Sequence, residues 1–280
     1  MSVVVGGTIY GADDVAKMCA DPSSPPDLLL NLVDERTEVG AVPGASLALA
    51  CNPGVPLEGL LHLVRDHPLE VTQNPAFRLQ QAMSGDFVWS LPVGVQCAIA
   101  RCADVDEALI RQLATSRRRP VMVRTAAARN PACPPDLVAA YMRQAWRVRN
   151  GLAANPALPA ALMGRLASDD KKEVRSSVGR RSDLSESLLQ QLSVDPAPRV
   201  RATIARRVGL SPTMLLKMAA SEQASAVQCA LIRNRNMPDD GVARFYASGT
   251  DEVREAMQQR RARARGTVSR GASDPSSPED

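Results

Sequence analysis

Valine returns at a nearly fixed interval through the second half of the chain, at Val123, Val148, Val174, Val200, Val227 and Val253, with gaps of 25, 26, 26, 27 and 26 residues. Arg follows it at every site but Val227, where Gln228 stands instead. A period in the 20–50 range means that each repeat is one supersecondary unit, burying its apolar face only against its neighbours. A single thick core is a poor fit to the same chain, because only 3% of its residues are aromatic. Stacked layers filled by Leu, Val and Ala need few large rings.

Counting from each Val as position zero gives the repeat its anatomy. Position four is apolar (Ala127, Leu152, Val178, Ile204, Leu231) and position five is small except at Ile232. With the Val they form the i, i+4 stripe of a short helix. Position seven is Asn130 or Asn155, each followed by Pro, and a residue before Pro is pushed out of the helical region, so the helix ends there. Position ten is apolar again (Cys133, Leu158, Leu184, Leu210, Met237). Position eleven is Pro or Ser, both suited to the start of a helix. The second helix carries pairs such as Leu137/Val138, Leu162/Met163 and Met214/Leu215. Val95 to Cys102 nearly copies Val227 to Asn234, and Ala45 to Leu63 is an earlier copy. Leu162 and Ile204 are expected in the core, and so is Trp146.

The phrase Val-Arg-x-x-(apolar)-Ala-x-Asn-Pro-x-x-Pro-x-x-Leu, clearest over Val123–Met142 and Val148–Ala167, resembles the bacterial leucine-rich repeat variant, a relative of HEAT and armadillo solenoids. The resemblance covers roughly 14–64 and 95–261. It implies an all-α, right-handed superhelical solenoid of about 26-residue two-helix repeats, some helices being 3₁₀. A member of that family carries an iron–sulfur cluster on an N-terminal Cys-rich segment. Here only Cys19 lies in the first 50 residues, so no such cluster, and no cofactor, is expected. The expected organisation is an acidic N-terminal repeat block (1–77), an irregular insertion (78–94), a basic repeat block (95–261) and a disordered tail (262–280).

Charge is unevenly spread. Residues 1–100 hold 4 Lys/Arg against 11 Asp/Glu, whereas 101–265 hold 29 against 16. Such an asymmetry points to an anionic partner for the basic block. Arg124, Arg149, Arg175, Arg201 and Arg254 occupy position one and are expected to form a ladder along one side. Arg129, Arg180, Arg206 and Arg233 make a second row at position six. These nine are the candidate binding residues. Arg181, Arg207 and Arg260 replace the Asn of position seven, and Arg117-Arg118-Arg119 is a basic loop. Position one has a structural alternative: acidic residues such as Asp170, Glu173, Asp195 and Glu252 precede several of the Val residues and are placed to pair with Arg between repeats.

Catalysis finds little support. The histidines are His62 and His67 alone, and neither a nucleophile elbow, a phosphate-binding Gly loop nor a zinc-protease motif is present. Cys97 and Cys102 are five apart, which is not a zinc-ribbon spacing, and the six cysteines read as small buried or half-buried residues of a reducing compartment. The apolar run after Met1 is too short for a signal peptide, and a cytoplasmic location is expected. The expectation is a non-catalytic scaffold for an acidic protein or peptide, with no membrane partner. The alternative is a protein that binds nucleic-acid backbone along its Arg rows.

Overall fold

The computed structural model describes residues 2–5, 7–34, 38–115, 120–246 and 250–271. The chain packs as two compact units, Met1–Leu158 and Pro159–Asp280. The basic loop Arg117–Arg119 and residues 272–280 lie outside the described residues.

Unit one opens with a hairpin of β1 (Ser2–Val5) and β2 (Thr8–Gly11), which no repeat pattern foretells. Val3 pairs with Tyr10 and Val4 with Ile9 across it, and Gly7 turns the chain at φ 84°. Alternation sends Val3 and Val5 into the core and leaves Val4 and Ile9 exposed. Then come α1 (Ala12–Ala20), α2 (Pro26–Val33), a 3₁₀ turn at Glu38–Ala41, α3 (Ala45–Cys51), α4 (Leu57–Leu63), α5 (Pro68–Gln73), α6 (Pro75–Met83) and α7 (Phe87–Ser90). They are followed by α8 (Val93–Arg101), α9 (Glu107–Ala114), α10 (Val121–Arg129), α11 (Pro135–Tyr141) and α12 (Trp146–Ala153). The first helices of successive repeats stack, α1 on α3, α3 on α5, α5 on α8, α8 on α10 and α10 on α12. Second helices form the other layer, with α2 against α4, α4 against α6 and α7 against α9.

Unit two repeats the plan with α13 (Ala160–Ala167), α14 (Lys172–Gly179), α15 (Glu186–Ser193), α16 (Pro198–Ala205), α17 (Pro212–Ala219), α18 (Ser225–Arg233), α19 (Asp239–Ala243) and α20 (Asp251–Gly271). Here α14, α16, α18 and α20 stack in sequence, and α13 packs on α15 and α17 on α19. α20 continues past Ala262, where the sequence places the start of the tail.

The periodic positions are the core. Val123, Val148, Val174, Val200, Val227 and Val253 are all 0% exposed, and position four is equally closed from Ala127 to Leu231. First helices lie close together, and at position three a side chain is sometimes intolerable: a Cβ on Gly151 would stand 2.5 Å from Thr125 O. Second helices start on Pro or on a capping side chain, as where Asp106 Oδ1 accepts from Ala108 N at 2.9 Å. Two core assignments fail. Leu162 is only half-buried because Met163 takes the inward face, and Trp146 is half-exposed at the first turn of α12, with the Arg147 guanidinium 4.9 Å from its ring centroid. The stretch 78–94 holds most of α6 and all of α7. Phe87 packs edge-on against Phe77 at 5.1 Å, and Trp89 Nε1 donates to Gln112 O at 2.9 Å.

Candidate functional site

Position seven is an internal ladder. Asn74 Nδ2 donates to Ala50 O and Asn52 O, Asn130 Nδ2 to Ala100 O and Cys102 O, and Asn234 Nδ2 to Ala205 O and Arg207 O. The acceptors are in each case positions five and seven of the preceding repeat. Those carbonyls end a helix and lack an intrahelical donor. The same Asn closes its own turn, since Asn130 Oδ1 accepts from Ala132 N at 2.8 Å. Arg serves equally well: Arg207 Nη1 donates to Gly179 O and Arg181 O, and Arg260 Nη1 to Ile232 O and Asn234 O. Burial of Arg207 lowers its pKa, with the Asp183 charge acting in opposition. These arginines are structural members of the stack.

Position one braces each repeat to the next. Arg175 forms a two-pronged pair with Asp195, Nε to Oδ2 at 2.6 Å and Nη2 to Oδ1 at 2.9 Å, and its Nη1 reaches back to Asp169 O. Arg201 does the same one repeat later, with Glu222 as carboxylate and Asp195 O as carbonyl. Asp195 and Glu222 in turn accept from Ala197 N and Ala224 N ahead of α16 and α18. Gln228 keeps half of the motif by donating to Glu222 O. In unit one Arg124 Nη1 donates to Gln144 Oε1, Arg149 Nη1 donates to Gln144 O, and Ser46 Oγ lies 2.9 Å from His67 Nε2. The carboxylates are almost closed to solvent, at 5% for Asp195 and 3% for Glu222. Burial alone would raise the pKa of Glu222, but Arg201 and the backbone donors outweigh it and hold the group below its ordinary value. The same pairings raise Arg175 and Arg201. Of the position-one candidates Arg254 differs: its pair with Asp251 is exposed.

Position six points outward. Arg129, Arg180, Arg206 and Arg233 are all exposed. Arg233 reaches Gln259 Oε1 at 3.5 Å, while the side chains of Arg129, Arg180 and Arg206 make no hydrogen bond or ion pair among the described residues. Each stands at the C-terminal end of a first helix, where the helix dipole favours a cation. In unit two Arg180, Arg206 and Arg233 take equivalent places on the stacked helices α14, α16 and α18.

Burial raises the thiol of Cys19 to about 11 and, with help from Asp136, that of Cys133 to about 12, so neither is a ready nucleophile or metal ligand. Among the described residues no group of His, Cys, Asp and Glu could hold a metal ion, and no helix is long and apolar enough to cross a membrane.

Two layers of stacked helices, tied by a polar ladder, define an all-α solenoid of two-helix repeats. No family model matches the chain, and no curated protein does either. Among solved structures the chain is similar to a leucine-rich repeat variant described as having a novel repetitive structural motif. The identity is 20%, the match covers 73% of this chain and 84% of that one, and the TM-score is 0.48.

Proposed function

We propose that the chain is a non-catalytic binding scaffold that engages an acidic protein segment through Arg180, Arg206 and Arg233. The observation that carries this reading is the division of labour among the arginines of unit two. Arg175, Arg201, Arg207 and Arg260 hold repeats together, whereas the three at position six stand exposed on consecutive stacked helices. An extended acidic segment crossing those helices meets one guanidinium per repeat. Arg suits that role because its planar fork takes a carboxylate through two hydrogen bonds.

The test is fluorescence anisotropy with a labelled oligoglutamate peptide and, in parallel, a labelled DNA duplex. Changing Arg180, Arg206 and Arg233 together to Ala is expected to weaken peptide binding and leave the melting temperature unchanged. Tight duplex binding, with a salt slope that the triple change flattens by up to about three units, would replace this reading with backbone recognition of nucleic acid. Peptide binding that survives the triple change would overturn the assignment of the row.

A further inference from the structure

Among the described residues the position-seven ladder lacks a rung between α5 and α8. α5 stacks on α8, so the residue ending α8 should donate to position five and seven of the α5 repeat, Thr72 and Asn74. That residue is Cys102, whose half-buried thiol donates to neither. A thiol is a weak donor and carries a single hydrogen, whereas Asn offers two strong ones. Asn74 O still receives Arg78 N at 3.0 Å from its own helix start, but no hydrogen bond to Thr72 O forms among the described residues. Thr72 also lines a cleft of about 270 Å³ beside this position. Thr72 and Gln73 of α5, Arg78 and Gln81 of α6, and Asp104 and Asp106 ahead of α9 line it; Gln73, Arg78, Asp104 and Asp106 are exposed at its mouth, and Gln81 Nε2 also donates to Gln112 Oε1 at 3.4 Å.

The lining is chemically unfinished. The side chains of Arg78 and Asp104 make no hydrogen bond or ion pair among the described residues, and Asp106 uses one oxygen to cap Ala108. Two carboxylates therefore face the same small space as one guanidinium and two primary amides, next to a main-chain carbonyl that every neighbouring rung would have filled. We propose that this cavity binds an α-ammonium group with a carboxylate or carbonyl beside it, as in a free amino acid or the first residue of a peptide. The ammonium is held by Asp104 and Asp106 and supplies the N–H donor that Cys102 does not. Arg78 and the Gln73 and Gln81 amides take the adjacent oxygen atoms. The site lies in unit one and is independent of the arginine row of unit two, so either assignment can fail without the other.

The side-chain amide NMR signals of Gln73 and Gln81 report on occupancy. Titration of the full chain with glycine, L-arginine and glycinamide is expected to shift both in a saturable way. Methylamine and acetate, which each carry half of the recognised group, should bind at least about tenfold more weakly. Preference for glycine over glycinamide would identify a free amino acid as the source, and the reverse a peptide terminus. Cys102→Asn restores the rung, so it is expected to raise the melting temperature and abolish the titration. Asp104→Asn, on an exposed side chain that the fold does not use, should weaken binding about tenfold or more. The proposal is overturned if none of the three ligands shifts the two signals, if methylamine or acetate binds as well as glycine, or if Cys102→Asn folds and binds undiminished. Should Cys102→Asn not fold, undiminished binding by Asp104→Asn overturns it.

Discussion

Asn130→Asp isolates the ladder better than any truncation, because it keeps the shape of the side chain and exchanges only an amino group for an oxygen. Asn130 is 1% exposed, and its Nδ2 donates to Ala100 O at 2.9 Å and Cys102 O at 2.8 Å. The variant removes both donors and turns a carboxylate toward two carbonyl oxygens, while Ala132 N keeps its acceptor. Ala100 O is left unpaired while Cys102 O keeps Val105 N at 3.5 Å, and a buried acceptor left unpaired costs about 1–3 kcal/mol, so the loss of stability should be at least about 1–3 kcal/mol near neutral pH. The buried carboxyl resists ionisation, so its folded pKa rises above the usual value near 3.9. From there upward the folded state holds the proton more tightly than the unfolded state, and stability must fall as pH rises until the folded pKa is passed. Urea unfolding followed by Trp89 and Trp146 emission, repeated across pH, measures both effects. Wild-type stability in the variant at neutral pH, or a stability that does not decline with rising pH, would refute the ladder as a stabilising element. Arg207→Asn serves as the companion, since it should preserve a rung that Arg207→Ala destroys.

Arg201→Ala strands Glu222, which is 3% exposed, and should cost roughly 3–5 kcal/mol in chemical denaturation, whereas Arg201→Met with Glu222→Gln should recover most of the loss. Because Glu222 sits below its ordinary pKa of 4.5, its contribution is complete above that pH and is lost as pH falls through the lower folded value. An acid titration of stability should thus show a drop below about 4.5 that Glu222→Gln reduces, and an unchanged profile would contradict the pairing. Ile204→Ala, at a position 0% exposed, should cost about 2–5 kcal/mol, and half-buried Leu162→Ala clearly less; equal losses would mean the repeat phase is wrong. Gly151→Ala should lower the melting temperature, since its Cβ would stand 2.5 Å from Thr125 O, a backbone atom that cannot swing away.

The helical repeat was legible because burial acts on side chains, and side chains are what a sequence spells. Val at position zero and the apolar residue at position four could be read directly, as could the helix stop at Asn-Pro. The ladder was hidden because its acceptors are main-chain carbonyls, such as Ala100 O for Asn130, which look the same behind any residue. One clue was present: Arg181, Arg207 and Arg260 stand where Asn stands elsewhere, and the two side chains share little besides N–H donors. The braces were half legible. Asp195 and Glu222 stand at the same place, five residues before Val200 and Val227, so the spacing that exposed one as a neighbour of the next repeat held for the other, while the pairing of each with the Arg of the preceding repeat depends on how the loop folds back. Gly6-Gly7 between two β-rich runs is a hairpin signal that the repeat period does not carry. Leu162 and Trp146 failed because a pair of adjacent apolar residues, or one at a helix start, does not reveal which side faces in.

Net charge misleads about which arginines are available in a repeat protein of this kind. Arg206 and Arg207 are neighbours in sequence and count equally toward the basic excess. In the structure Arg207 donates to Gly179 O and Arg181 O, while Arg206 stands exposed at the end of α16. An Asn or Arg at position seven is adjacent to the carbonyls of the previous repeat and is drawn into the stack whatever its charge. One at position six has turned past them. Position one is drawn in as well wherever the next loop offers an acceptor, as Asp195 and Glu222 do. Position six thus contributes one regularly spaced exposed charge per repeat in unit two, beside other exposed cations such as Lys171, Lys172, Arg199 and Arg235. An acidic segment bound there would be read by the spacing of Arg180, Arg206 and Arg233, so moving one of these charges to position two or three of its helix should disturb recognition even though the net charge stays the same.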